Sequence, residues 1–502
     1  VQRWVNSLSA WSTTTNPIFA PWFVYSALAE TNFTALATEI TATLPAKSFL
    51  NPIVLATFTN SPASMTEWDT AFATTEAREC INPRPTDEAA IFRRMQPDTI
   101  GFITYSEGCN DDVNKTIWSA LGWDPEMSVA EILRQYSRYF IGDRYSEKFS
   151  AGLLSLEQNW RGSLGTNAGV DDTLKKFQAM EKSASPADLK NWRFQQALFR
   201  AYYDAYVRHR LISETELETQ AMTTLNGAKT SGVADALAAA EKILNRPATD
   251  PVQDARRIHI YELASALFQS ISMQLSVEKY RAIAPDRGAS LDTLEFPLNN
   301  RLWLKERFAA IRKLTSKPDQ LKAIEEITHW TNPGPGGFYD DLGNVSRQPH
   351  LVKGLSFADD PSRMESARID FEDDLVFDEP EETAGTARRI SWVDHAESLY
   401  DKPLRMHYEG LDSGARYKLR VLYGGDNATR KIRLVAGNEI EIHPYLTKPF
   451  PFKTIEFAIP PKAIERGELD LTWFGEFGLG GNGRNVQVSE VWLVKESPAP
   501  AK

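Results

Sequence analysis

Apolar and polar positions along the chain change rhythm twice. Up to about residue 108, short apolar runs alternate with helical spacing. Pro17–Tyr25 and Phe49–Phe58 read as buried strands bounded by turn residues. Between them Leu36, Ile40 and Leu44 fall on one helical face of the stretch Phe33–Leu44. A helix is predicted from about Thr86 to Met95, after the Asn82-Pro-Arg-Pro85 loop, and a strand over Thr99–Tyr105. Strand, helix and strand in this order is the grammar of a parallel α/β sheet or barrel.

From about 110 to 330 the period is helical. Val129, Ile132, Leu133, Tyr136 and Phe140 make one stripe, and Tyr145, Phe149, Leu153, Leu156 and Trp160 a second. Trp192–Leu211, Val252–Tyr280, Leu302–Leu314 and Leu321–Trp330 continue the pattern, which predicts a helical, bundle-like domain. Asn332-Pro-Gly-Pro-Gly-Gly337 breaks it, and the acidic run from Asp370 through Glu382 reads as a solvated insert. After Ile390 come short strands separated by Gly, Pro, Asn or Asp: Leu404–Tyr408, Tyr417–Tyr423, Lys431–Val435, Glu439–Pro444, Thr454–Ile459, Leu469–Trp473 and Val486–Val494. This is the pattern of an antiparallel β-sandwich, with Tyr417, Leu419, Val421 and Tyr423 on one face. Leu422 breaks the alternation and is expected to cover the preceding helices.

The expected fold class is therefore multidomain α/β + α + β. Its parts are a partial (β/α) barrel segment over 1–125, a helical domain over 126–330, a loop-rich connection over 331–389 and a sandwich over 390–502.

Composition narrows the function. Of 502 residues, 42% are hydrophobic and 25% charged, which excludes a disordered or collagen-like chain. A net charge of −11 argues against nucleic acid as a partner, and no apolar run reaches the roughly 18 residues of a membrane span. The 13 Trp and 16 Tyr suit sugar faces, although most aromatics belong to the core. Cys80 and Cys109 are too few for a disulfide framework, and the dispersed His residues make no metal-ligand spacing. The sequons at Asn32, Asn114, Asn344 and Asn427 are as many as chance provides. Val1 in place of Met suggests a processed or trimmed N-terminus. The compartment is left open, with a secreted or periplasmic one favoured. Oligomeric state is not legible.

Chemistry concentrates in two places. Thr104–Lys115 leaves a strand and opens a helix, and catalytic side chains of α/β barrels sit at such strand ends. Glu107 is placed there as a general acid or base, with Asp111 and Asp112 beside it to shift its pKa; capping of the helix is the alternative for the Asp pair. The second place is Thr331–Gly343, where glycines allow close approach and Tyr339, Asp340 and Asp341 offer a ring face and hydroxyl acceptors. Its alternative is an interdomain turn. Phe474–Arg484 reads most simply as a hairpin loop. Phosphate loops, dinucleotide fingerprints and nucleophile elbows are missing.

Tyr105–Lys115, with Trp118–Pro125 and Glu131–Phe140, resembles a group of bacterial glycoside-hydrolase-like proteins, relatives of hexosaminidases and α-glucuronidases with a TIM-barrel core. Asn332–Asp341 and Leu399–Lys495 resemble the C-terminal half of that group, so the likeness runs from about Trp68 to Lys495. A full barrel needs about 250 residues, so the departure lies at the N-terminus, where only about 108 precede the helices.

The resemblance implies a carbohydrate-active hydrolase acting on an oligosaccharide or glycoconjugate without an organic cofactor or metal. Glu107 would be the acid/base, assisted by Asp111 or Asp112. Tyr105, Asn110, Asn114, Lys115, Trp118, Tyr339, Asp340 and Asp341 would hold the sugar. A non-catalytic glycan-binding protein is the first alternative. A polysaccharide lyase using Tyr339 near Arg193 or Arg200 is the second.

Overall fold

The computed structural model describes residues 54–58, 68–76, 79–98, 101–105, 109–249, 255–356, 359–361, 363, 365–371, 388–425, 430–437, 440–477 and 484–496. The strand and helix expected over 17–44 lie outside them, as does Glu107.

Strands β1 (Val54–Phe58) and β2 (Gly101–Tyr105) pair in parallel, Val54 opposite Gly101 and Phe58 opposite Tyr105. A parallel pair needs a crossover, and here it carries α1 (Thr70–Glu76) and α2 (Pro85–Met95). This is the strand–helix–strand order read from the sequence. Among the described residues the parallel sheet stops at these two strands, so the expected partial barrel is not shown.

The helical region holds α3 (Asp112–Trp123), α4 (Val129–Phe140), α5 (Ser146–Asn159), α6 (Gly169–Ser183), α7 (Trp192–Asn226), α8 (Val233–Leu244), α9 (Ala255–Ile271), α10 (Arg301–Lys313) and α11 (Lys317–Thr328). Local chemistry fixes their ends. Ser128 Oγ accepts the Glu131 N–H at 3.2 Å to start α4, and Asn191 caps α7 by accepting from Arg193 at 3.0 Å. Helix α7 is the spine. Its first half is buried nearly all round, whereas its second half buries one stripe, Glu214, Leu217, Ala221 and Leu225. It runs fifteen residues past the predicted Leu211, because that stripe is interrupted by Ser, Thr, Glu and Gln. The helix expected to reach Tyr280 ends at Ile271, where Ser272 takes φ 57°.

The C-terminal region is antiparallel throughout its described pairings. Strands β3 (Phe338–Asp341), β4 (Arg368–Phe371), β5 (Asp394–Leu399), β6 (Leu404–Tyr408), β7 (Tyr417–Leu422), β8 (Lys431–Ala436), β9 (Ile440–Thr447), β10 (Ile455–Ile459), β11 (Leu469–Gly475), β12 (Arg484–Val488) and β13 (Glu490–Lys495) form three sheets, ordered β10-β7-β13-β3, β6-β11-β8-β9 and β12-β5-β4. Met406, Leu419, Val421, Leu434, Leu471, Trp473, Val491 and Leu493 fill the interior between them.

Several sequence expectations change here. Tyr339–Asp341 is a strand paired with β13, so the glycine-rich stretch is the turn before it: Gly334 and Gly336 take φ 82° and 74°, and the Gly337 N–H donates to Gly334 O at 3.1 Å. The start of the acidic run is not solvated, since Asp370 lies in β4 and accepts from Arg368 and Arg484. Val486–Val494 splits at Ser489 into two strands of different sheets. Among the described residues, the strands flanking the expected hairpin loop do not pair with each other: β11 pairs with β6 and β8, and β12 with β5.

Leu422 leaves the sandwich interior and packs with Trp492 against Trp303, Leu304 and Phe308 of α10. One sheet is thereby covered on both faces, by its own sandwich and by the helices.

Candidate functional site

The site is built on the ladder between β3 and β13. Successive side chains of a strand point to opposite faces, and that sorts the four residues of β3. Phe338 and Asp340 face the sandwich interior. Asp340 is fully buried, accepts the His350 backbone N–H at 3.2 Å and the Tyr408 hydroxyl at 3.1 Å, and lies 2.9 Å from His350 Nδ1. Tyr339 and Asp341 face the helices. Across the ladder Trp492 stands opposite Tyr339, and Glu490 opposite Asp341. Directly opposed residues have Cβ atoms about 4.5–5.5 Å apart, so two carboxyl groups are held side by side.

In front of this face lies a cleft of about 670 Å³, the size of a small-molecule site. Its walls include Asp69 and Thr70 at the start of α1, Thr215, Glu218 and Met222 on the second half of α7, Trp330 just beyond α11, and Tyr339, Asp341, Arg347 and Arg389 from the sandwich side. Asn299 and Asn300, just before α10, complete it. Asn300 is fixed by Glu218, to which its side-chain amide donates at 2.8 Å. The Arg389 guanidinium carbon lies over two indoles, 4.7 Å from the Trp303 ring centre and 5.1 Å from that of Trp330.

Burial raises several acids around the cleft, Asp341 among them. Its carboxyl is pushed up to about 8, first by burial, then by the charges of Glu490 and Asp69, with Arg347 and Arg389 pulling the other way. Its Oδ1 is itself buried and has no hydrogen-bond partner. Asp69 is also raised by burial, but it accepts backbone N–H groups of Ala71 and Leu164, both at 2.9 Å, which pull it down. Asp394 sits behind them, its carboxyl driven well up by burial and by Asp69, Asp341 and Asp370. Gly343 permits its approach, since a Cβ there would lie 2.5 Å from Asp394 Cβ.

Glu490 is buried and accepts four donors: Tyr339 hydroxyl at 2.6 Å, Trp392 indole N–H at 2.8 Å, Ser391 hydroxyl at 2.9 Å and Trp330 indole N–H at 3.2 Å. Among the described residues, no group of three or more His, Cys, Asp or Glu is placed to hold a metal ion.

The other predicted residues lie elsewhere. Asp112 accepts from Arg193 Nε at 2.7 Å and from the Tyr136 hydroxyl at 2.8 Å. Asp111 is buried with Lys115 Nζ 3.4 Å away. Asn110 donates to Glu79 O at 2.5 Å, and buried Asn114 ties Arg84 N to Asn82 O. Trp118 is a core residue, packed on Phe92 and Phe102, its indole N–H on Glu88 at 2.7 Å. Tyr105 ends β2. Asn110 and Asp112 line a second cavity of about 20 Å³, too small for a sugar, and the walls of the large cleft hold none of the first cluster's described residues. The two predicted places are therefore not assembled into one pocket by the described residues. Arg193 is engaged by Asp112 and Arg200 by Asp204, whereas the Tyr339 hydroxyl donates to Glu490, so the lyase grouping does not form.

Sequence reasoning missed Asp69, Arg347, Arg389, Asn299, Asn300 and Glu490. Only Glu490 carried a signal: an acid directly at the head of the apolar run Val491–Val494 demands a built environment.

No family model matches the chain, and no curated protein does. A solved structure similar to it is a family GH115 4-O-methyl-α-glucuronidase with specificity for decorated arabinogalactans, at 11% identity and a TM-score of 0.28. The match covers 92% of this chain and 57% of that one. At that score neither fold nor function passes from one to the other, and the functional reading rests on the geometry of the cleft.

Proposed function

We propose that this chain is a carbohydrate-active hydrolase whose site is the cleft between the helices and the sandwich. The observation that carries the reading is Asp341: a carboxyl that keeps its proton to about 8, with an unpartnered oxygen, in the wall of a 670 Å³ cleft. A general acid for a departing glycosidic oxygen needs a carboxyl that stays protonated near neutral pH in the wall of the substrate cleft. Asp69 is the second carboxylate. Its two backbone N–H donors orient it, and it either activates water or attacks the anomeric carbon. A carboxyl separation of about 5.5 Å corresponds to retention and one of about 6.5–9.5 Å to inversion. Trp330 and Tyr339 supply ring faces for a sugar, while Asn299 and Asn300 supply hydroxyl partners.

The same ring faces would also hold a glycan without cleaving it, which is the second reading. Here the polar ends of Trp330 and Tyr339 are occupied by Glu490, leaving only their faces to the cleft.

Screening against aryl glycosides and uronide oligosaccharides, with Asp341→Asn, Asp69→Asn and Glu107→Gln alongside, separates the readings. Hydrolysis that falls by roughly 10²-fold or more in Asp341→Asn supports the proposal. Wild-type turnover in Asp341→Asn overturns it. Glycan binding without turnover in every variant favours the second reading.

A further inference from the structure

Glu490 is fully buried, and it lies behind the cleft rather than among its walls. Its four donors come from three separate segments: Tyr339 from β3, Ser391 and Trp392 from the stretch entering β5, and Trp330 from just beyond α11. A carboxylate offers about four acceptor positions, so these donors saturate it and leave nothing with which to exchange a proton with substrate. Each segment also contributes to the cleft wall, through Tyr339, Ser391 and Trp330. Neutral partners outnumber charged ones around it: Arg389 Nε is 3.9 Å away, beyond a hydrogen bond.

We propose that Glu490 is the positioning residue of the cleft. It ties the three wall segments into one corner and sets its carboxylate opposite Asp341 across the β3–β13 ladder, so that the proton donor and the two ring faces hold their places. The inference rests on the reading of Asp341 as proton donor. The groups that face Asp341 are Glu490 from β13, Asp69 from the start of α1, Asp394 from β5, Arg347 from the turn after β3, and Arg389. Of these, only Glu490 is its direct ladder partner.

The test is a pH titration of the full chain by difference infrared spectroscopy, with the protonated Asp341 band identified by its loss in Asp341→Asn. Glu490→Gln removes one like charge and is expected to lower the Asp341 midpoint by about one pH unit or more. Ser391→Ala and Trp392→Phe each withdraw a donor and leave the carboxylate less compensated, so each is expected to raise the midpoint. A purely structural role would loosen the corner in all three variants, admit water and move every midpoint down.

An unmoved midpoint in Glu490→Gln, or a downward shift in all three, overturns the proposal. If Glu490→Gln fails to fold, the other two variants decide it: upward shifts support it, and unchanged or lowered midpoints overturn it. The titration needs no substrate. Shifts of the expected sign in a protein whose Asp341→Asn variant still hydrolyses glycosides would retire the proton-donor reading alone.

Discussion

Asp340 and Asp341 are consecutive in the chain and serve opposite sides of one strand. Buried Asp340 closes a hydrogen-bonded group with His350 and Tyr408, while Asp341 stands in the cleft wall with one buried oxygen unpartnered. Two identical side chains thus receive different work from the period of β3 alone. Substitutions at the two positions should therefore behave in opposite ways.

Asp340→Ala leaves the half-buried His350 ring and the buried Tyr408 hydroxyl without their shared acceptor. Removing one partner from such a group costs about 2–4 kcal/mol. Urea unfolding should show a lowered midpoint with an unchanged slope. A loss below about 0.5 kcal/mol would mean that Asp340 is not the anchor of that group.

Asp341→Asn should stabilise the chain in neutral and alkaline solution. The folded carboxyl is raised from 3.8 to about 8, so the unfolded chain releases its proton first. The stability this group contributes is complete below pH 3.8 and is lost progressively as pH rises towards about 8. At 1.36 kcal/mol per unit the loss is at most roughly 6 kcal/mol. The difference in unfolding free energy between Asp341→Asn and wild type should grow between pH 4 and 8 and then level, as expected where function is held against stability. A difference that does not vary with pH contradicts the assignment.

The sheets reach back before residue 390, because β3 pairs with β13 and β4 with β5. A fragment of residues 331–502 should unfold cooperatively. Residues 390–502 alone lack both strands and should not. The longer fragment also uncovers the face of Leu422 and Trp492 that α10 normally covers, so it should bind a hydrophobic dye that the full chain does not. Cooperative unfolding of 390–502 would show that the two strands are dispensable.

Much of the architecture was legible wherever one face of an element is wet. Strand β6 reads correctly because Leu404, Met406 and Tyr408 are buried while Arg405 is exposed and His407 half-buried, and α4 because its stripe and its Ser128 cap agree. Legibility failed where tertiary context overrides local pattern. The second half of α7 buries a thin stripe amid polar residues, and β3 follows so many glycines that it reads as loop, although its pairing with β13 makes it a strand. The cleft was hardest. Tyr339 and Asp341 stand out by composition, but Asp69, Asn299 and Arg389 arrive from distant points of the chain, and no spacing connects them. Trp118, which composition offers as a sugar platform, is consumed by the core with Phe92 and Phe102.

The most direct test of the cleft as a hydrolase site is the pH dependence of kcat/KM for the best-hydrolysed glycoside of the screen. The account predicts an alkaline limb falling with a midpoint near 8, where Asp341 gives up its proton, and its disappearance in Asp341→Asn together with most of the rate. An alkaline limb unchanged in Asp341→Asn, with the rate retained, would contradict it.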